Sequence, residues 1–224
     1  MPGLSSRHAA RLLVVGVPWL VVLLAARSAG AVPRTTSAIL KAGVLSAHDV
    51  PSTWVATPRS TAAESFPRGA ACQTLAAAER VARRSPHAVS PQFSDPGSGN
   101  TTEADNSVYA LPSAAAAHRY LAAYAAGTAS ACFQQVLTDA VGTSASVALT
   151  PLTTQLAGLG DESAGYEGTV QGTNGGGQAV ALVADVVAAR VGRAVTVFEF
   201  LSANQQIANG PSIVTTVVRR LGGP

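Results

Sequence analysis

The chain has 224 residues, of which 47% are hydrophobic, 5% aromatic and only 12% charged. Three of its 15 Lys and Arg residues, Arg7, Arg11 and Arg27, precede position 32, so the remainder holds 12 basic against 12 acidic residues and is formally neutral. Neutrality removes the electrostatic case for nucleic acid or an anionic membrane surface as partner, and the 193 residues after Ala31 suffice for one domain with a real core.

In the leading segment Arg7 and Arg11 stand before the apolar residues 12–26, and Ala29-Gly30-Ala31 follows with small side chains. Positive, apolar, then small is the order of a secretory signal. The apolar run has 15 residues and ends at Arg27, short of the roughly 20 that span a bilayer. The expectation is a signal peptide over residues 1–31, cleaved after Ala31. Its retention as a signal anchor is the alternative, and the chain's one route to a membrane. The residue directly after Ala31 is Val32, not a Cys that could carry a lipid. Both readings put residues 32–224 outside the cytoplasm, with 32–37 a short flexible start and 38–224 a single domain.

Residues 38–45 read as a weak helix, broken before Pro51 because proline disfavours helix at the residue it follows. An extended piece starts at Trp54 and Val55, and residues 57–68 have loop composition. Residues 70–84 fit a helix with Leu75, Ala78, Val81 and Ala82 on one face, and Arg80, Arg83 and Arg84 near its negative end. Residues 85–106 are polar and turn-rich, with Phe93 the one side chain there that calls for burial. Asn100-Thr101-Thr102 is a glycosylation sequon read as an exposed loop.

A short strand is expected over 107–111. Pro112-Ser113 then opens a helix over 114–126, followed after Gly127 by another over 129–140. A strand is expected over residues 147–149 and a loop over 156–162. Residues 166–171 and 179–189 pair as a hairpin through the glycine-rich 172–177, and a turn at Gly192-Arg193 leads to a strand over 194–201. Residues 211–221 close the chain as a helix with Ile213, Val214, Val217, Val218 and Leu221 on one face. The order describes an α+β domain with a central antiparallel sheet and helices packed mainly on one face, the other face open or partly covered.

Cys72 and Cys132 are the only cysteines, an even number in an exported chain, for which a disulfide is the default. It would join two helices. The competing reading is a redox or metal pair, but there is no CxxC and the four His are scattered, so no metal and no cofactor is expected.

Several short motifs then point together: Leu45-Ser-Ala-His-Asp49-Val-Pro51-Ser-Thr-Trp54, the Cys72 helix, Ser107-Val-Tyr-Ala-Leu111 ahead of Ser113-Ala-Ala-Ala-Ala-His-Arg-Tyr120, Cys132, and Leu159-Gly-Asp-Glu162 before a β-rich end. In this arrangement, over residues 38–221, the chain resembles the extracellular sensor domain of mycobacterial Ser/Thr protein kinases and related secreted actinobacterial proteins. It departs from them at Thr53, where relatives commonly have Gly, and in allowing one disulfide where the kinases often have two. No glycine-rich loop, HRD or DFG of a kinase is attached. The resemblance implies an exported α+β domain with a central antiparallel sheet and a cleft for a ligand it does not identify.

The residues themselves carry no catalytic motif. GxSxG is absent, and Asp161 and Glu162 are neighbours in sequence rather than a pair facing across a cleft. The 172–177 segment lacks the Lys-Ser/Thr of a phosphate loop. His48 and His118 read as structural, and Asp161 as a partner of local backbone N–H groups. Trp54, Phe93 and Tyr109 are the candidate ligand contacts, since aromatics are scarce; for Trp54 the competing role is plain packing of a strand edge. The expectation is a non-enzymatic, exported ligand-binding or sensing module of the cell envelope, its ligand small or cell-wall-derived and of apolar character. An envelope structural or interaction domain is the alternative, and a hydrolase a more distant one.

Overall fold

The computed structural model describes residues 34–59, 66–67, 69–98, 102–141, 145–153, 156–173, 179–203, 207 and 209–223. The signal, its cleavage point and the turn over 174–177 lie outside the described residues. Five helices are described: α1 (Thr36–Gly43), α2 (Gln73–Arg83), α3 (Ala114–Ala125), α4 (Gly127–Val141) and α5 (Gly210–Gly222). The strands are β1 (Val55–Thr57), β2 (His87–Val89), β3 (Gln92–Ser94), β4 (Thr102–Ala110), β5 (Ser146–Pro151), β6 (Glu162–Thr173), β7 (Ala179–Val191) and β8 (Ala194–Ala203). Among the described residues no helix is long and apolar enough to cross a membrane.

Helix starts follow capping chemistry. The Thr35 hydroxyl accepts from Ala38 N–H at 3.2 Å, so α1 begins within the stretch expected to be a flexible start. The Ser113 hydroxyl does the same for Ala116 N–H at 3.1 Å, and Pro211 occupies the first turn of α5. At the far end of α5, Arg34 donates to the carbonyls of Arg220 and Leu221 at 2.7 and 2.8 Å, satisfying acceptors the helix leaves open.

The strands form one antiparallel sheet in the order β1-β3-β4-β8-β7-β6-β5, with β2 also paired to β4. β7 and β8 are joined by a tight turn in which Gly192 takes φ 59°, a left-handed conformation natural to glycine. Alternation along each strand divides the core. Tyr109, Val195, Val197 and Ala188 pack under α2, α3 and α4, with Leu75, Tyr120, Leu121 and Phe133. Their neighbours Ala104, Val187, Ala189, Phe198 and Phe200 face the other way, against Ile213, Val214, Val217 and Val218 of α5. Beside these, Val108, Ala110 and Ala194 pack on Ile39 of α1 and Leu221. The fold is therefore α+β with three helices on one face, and the second face is covered by α1 and α5. The Cys72–Cys132 disulfide joins the turn before α2 to α4.

The largest departure from the sequence pattern is at residues 85–106, which hold β2, β3 and the first half of β4 where a polar loop was expected. Glu103, Asp105 and Asn106 look like loop residues but sit in strand, because each has a partner. Asn106 is fully buried: its Oδ1 accepts from Leu45 N–H at 2.8 Å, and its Nδ2 donates to Gly43 O at 2.7 Å and Thr196 Oγ1 at 2.9 Å. Gly43 lies so close to β4 that an added Cβ would come within 2.7 Å of Val108.

A second polar clasp holds the same region. Arg220 donates to Ala42 O and Val44 O and forks onto Asp49 at 2.7 and 3.0 Å, while the Ser46 hydroxyl and N–H also donate to Asp49. Burial alone would raise the Asp49 pKa; the hydrogen bonds from Arg220 and Ser46 outweigh it and hold the carboxyl below its usual range.

Candidate ligand-binding cleft

Between α2, α4 and the sheet lies a cavity of about 1060 Å³. Sheet order sorts its lining by polarity. Gln92 of β3, Glu103, Asp105 and Ser107 of β4 and Glu199 of β8 line one end, with Arg59 reaching in from beyond β1. Leu149 of β5, Tyr166 of β6 and Ala184 and Val186 of β7 line the other, opposite Phe133, Val136 and Leu137 of α4 and beside Phe66 and Pro67.

At the polar end Asp105 and Glu199 stand directly opposite across the β4–β8 pairing, an arrangement that like charges disfavour. Arg59 resolves it by pairing with both, reaching Glu199 at 3.2 Å. Glu103 accepts a hydrogen bond from Gln92 at 2.7 Å.

In the wall between the two ends is a buried carboxylate. Glu79 of α2 accepts from the hydroxyls of Tyr120, of Tyr124 at 2.8 Å and of Tyr109 at 3.2 Å, and Arg83 Nε lies 3.7 Å away. Burial, and after it neighbouring charge, raises the Tyr109 pKa, and burial first of all raises those of Tyr120 and Tyr124, so the three phenols remain protonated donors. The rings run on as a ladder: Tyr109, Tyr120, Tyr124, Phe133 and Tyr166 follow one another at centroid spacings of 5.7, 5.3, 5.9 and 5.6 Å. All four tyrosines of the chain belong to it. Tyr166 donates to Tyr124 O at 3.0 Å, which seats the end of α3 on β6.

Of the residues singled out from sequence, Tyr109 lines the cleft. Phe93 does not: its register opposite Ala104 turns it to the α5 side, where it is 1% exposed. Trp54 packs against that same core cluster, in keeping with the strand-edge packing that competed with a binding role. His118 and Asp161 stand together away from the cleft lining. His118 meets Glu162 at 2.8 Å, Arg190 joins Glu162 and Asp161 at 3.0 and 3.2 Å, and Asp161 accepts the Gly192 N–H at 2.7 Å. The cleft carboxylates Glu79, Glu103, Asp105 and Glu199 were not foreseen. Their one sequence signal is charge at strand and helix positions flanked by buried residues.

Asp185 of β7 pairs in register with Glu167 and Phe200, so its side chain lies on the α5 face of the sheet and not in the cavity. Its Oδ1 is buried without a hydrogen-bond partner. Burial first, and the Glu167 charge second, push its pKa from 3.8 up to about 6. A folded-state pKa raised above the unfolded one means that folding loses stability as pH climbs through the interval between them, and the loss is complete above about 6. Asp185→Asn should thus stabilise the protein by about 1 kcal/mol at pH 7, after allowance for solvent screening, and by nothing measurable near pH 3. Urea unfolding at the two pH values checks this; a gain independent of pH would exclude the ionised carboxylate as its cause.

No protein-family model matches the chain, and no curated protein does. Among solved structures, the extracellular domain of PknH from Mycobacterium tuberculosis is similar, with a TM-score of 0.53 at 14% sequence identity, over 87% of this chain and 100% of that one. At that identity the likeness is one of fold.

Proposed function

We propose that this chain is a non-catalytic, extracytoplasmic ligand-binding or sensing domain of the cell envelope. The observation that carries the reading is the cleft: about 1060 Å³, walled by aromatic and aliphatic side chains at one end and hydrogen-bonding groups at the other, at the upper end of the size range of small-molecule sites. The secretory pattern of residues 1–31, the disulfide and the fold likeness to an extracellular domain support the location. The ligand would lay an apolar part against Phe133, Val136, Leu137 and Leu149, where water gains little by staying.

The test uses prodan, a neutral dye whose emission shifts to the blue in apolar surroundings. The purified protein should bind it with a single-site blue shift. Val136→Trp, which adds a ring to the apolar end, should weaken binding at least about tenfold, equivalent to about 1.4 kcal/mol, while the melting temperature stays within a few degrees. A dye that does not bind, or binds the variant equally well, sinks the reading.

A further inference from the structure

The cleft's lining is unbalanced in charge. Glu79, Glu103, Asp105, Asp139 and Glu199 line it against only Arg59 and Arg83 among the described residues; Asp185, opposite Phe200 in the sheet, turns its side chain to the α5 face. Both arginines are already engaged with carboxylates of the same lining, Arg59 with Asp105 and Glu199, and Arg83 with Glu79. The domain as a whole is formally neutral, so this excess is a property of the cleft and not of the protein at large. Low-dielectric walls focus such a field into the cavity.

Two further features of the site agree with it. Tyr109 and Tyr124 line the cavity between its apolar and polar ends, and aromatic faces attract cations. The acidic side chains that the sheet turns into the cleft, Glu103 and Asp105 of β4 and Glu199 of β8, also lie to one side of Leu149, Tyr166 and Val186 of β5, β6 and β7. A molecule that fills both ends must itself be apolar at one end and positive at the other.

We propose, resting on the ligand-binding reading above, that the cleft selects a cationic amphipath: an apolar body against Val136, Leu137 and Leu149, and an ammonium or guanidinium-like head beside Glu103, Asp105 and Glu199. An anionic amphipath would bring its charge into a site with three more carboxylates than cations among the described residues. A neutral one would gain from the apolar end alone.

Three eight-carbon probes separate these cases by calorimetry, each below its micellar concentration: octyltrimethylammonium, octyl glucoside and octanoate. The cation should bind about tenfold more tightly than the glucoside, and octanoate most weakly. Added salt should narrow the gap, since part of the site is open to solvent. Glu103→Gln should weaken the cation about fivefold and leave the glucoside unchanged. Equal affinities, or octanoate binding best, overturn the charge preference while prodan binding keeps the cleft as a site. Cation binding indifferent to both Glu103→Gln and Val136→Trp overturns the placement, and failure of all three probes together with prodan removes both readings.

Discussion

Asn106→Ala should cost the domain about 3 kcal/mol, one of the two largest single losses expected in this fold. Asn106 is fully buried and satisfies three groups from three places: the Leu45 N–H, the Gly43 carbonyl and the Thr196 hydroxyl. Its own backbone N–H takes the Ser90 hydroxyl, and its carbonyl takes the Ser90 N–H. Alanine leaves the Leu45 donor and the Gly43 acceptor without their partner in the interior, and each such orphan costs about 1 to 3 kcal/mol. Thr196→Val, which removes only one partner of the same amide, should cost nearer 1 kcal/mol. Asn106→Asp should be at least as damaging as alanine, because it replaces a donor facing the Gly43 carbonyl by an acceptor. Urea midpoints at unchanged slope report these differences. If Asn106→Ala lost no more than Thr196→Val, the amide would not be the tie between α1 and the sheet.

This hub also shows where the sequence is readable and where it is not. Helices α3 and α5 are visible at once, because Ser113 caps one, Pro211 opens the other, and their apolar residues recur at helical spacing. The β6–β7–β8 meander is visible for the matching reason, since its Val-rich runs alternate and break at glycine. β4 is half hidden. Its Glu103-Ala-Asp-Asn106 segment has a loop's composition, yet one alternate set of side chains meets the cleft and the other meets the core. What makes that polar stretch a strand is a set of partners distant in sequence, Gln92, Arg59, Gly43 and Thr196, and no local pattern encodes them. The candidate aromatics divide the same way. Tyr109 stands at the cleft, but scarcity alone could not distinguish it from Phe93, because a one-residue change of strand register sends a side chain to the opposite face.

Removing the disulfide should have the second large effect, and it reaches the cleft as well as the fold. Cys72 and Cys132 are both fully buried, 60 residues apart. In the loop-closure account, cross-linking at that separation stabilises by about 4 kcal/mol, chiefly by restricting the unfolded chain. The double change Cys72→Ala and Cys132→Ala avoids placing hydroxyls in the core, so its cost should approach that figure; guanidinium unfolding in the absence of reductant measures it. The bond lies one residue before α2 and within α4, the helices that bring Glu79 and Arg83 on one side and Phe133, Val136 and Leu137 on the other to the same cavity. Loosening that link lets the walls move relative to each other, so prodan should bind the double variant more weakly under conditions where it is still folded. A variant that loses stability but keeps full dye affinity would show that the bond acts on the unfolded chain alone, and that the aromatic ladder from Tyr109 to Tyr166 is what holds the walls in place.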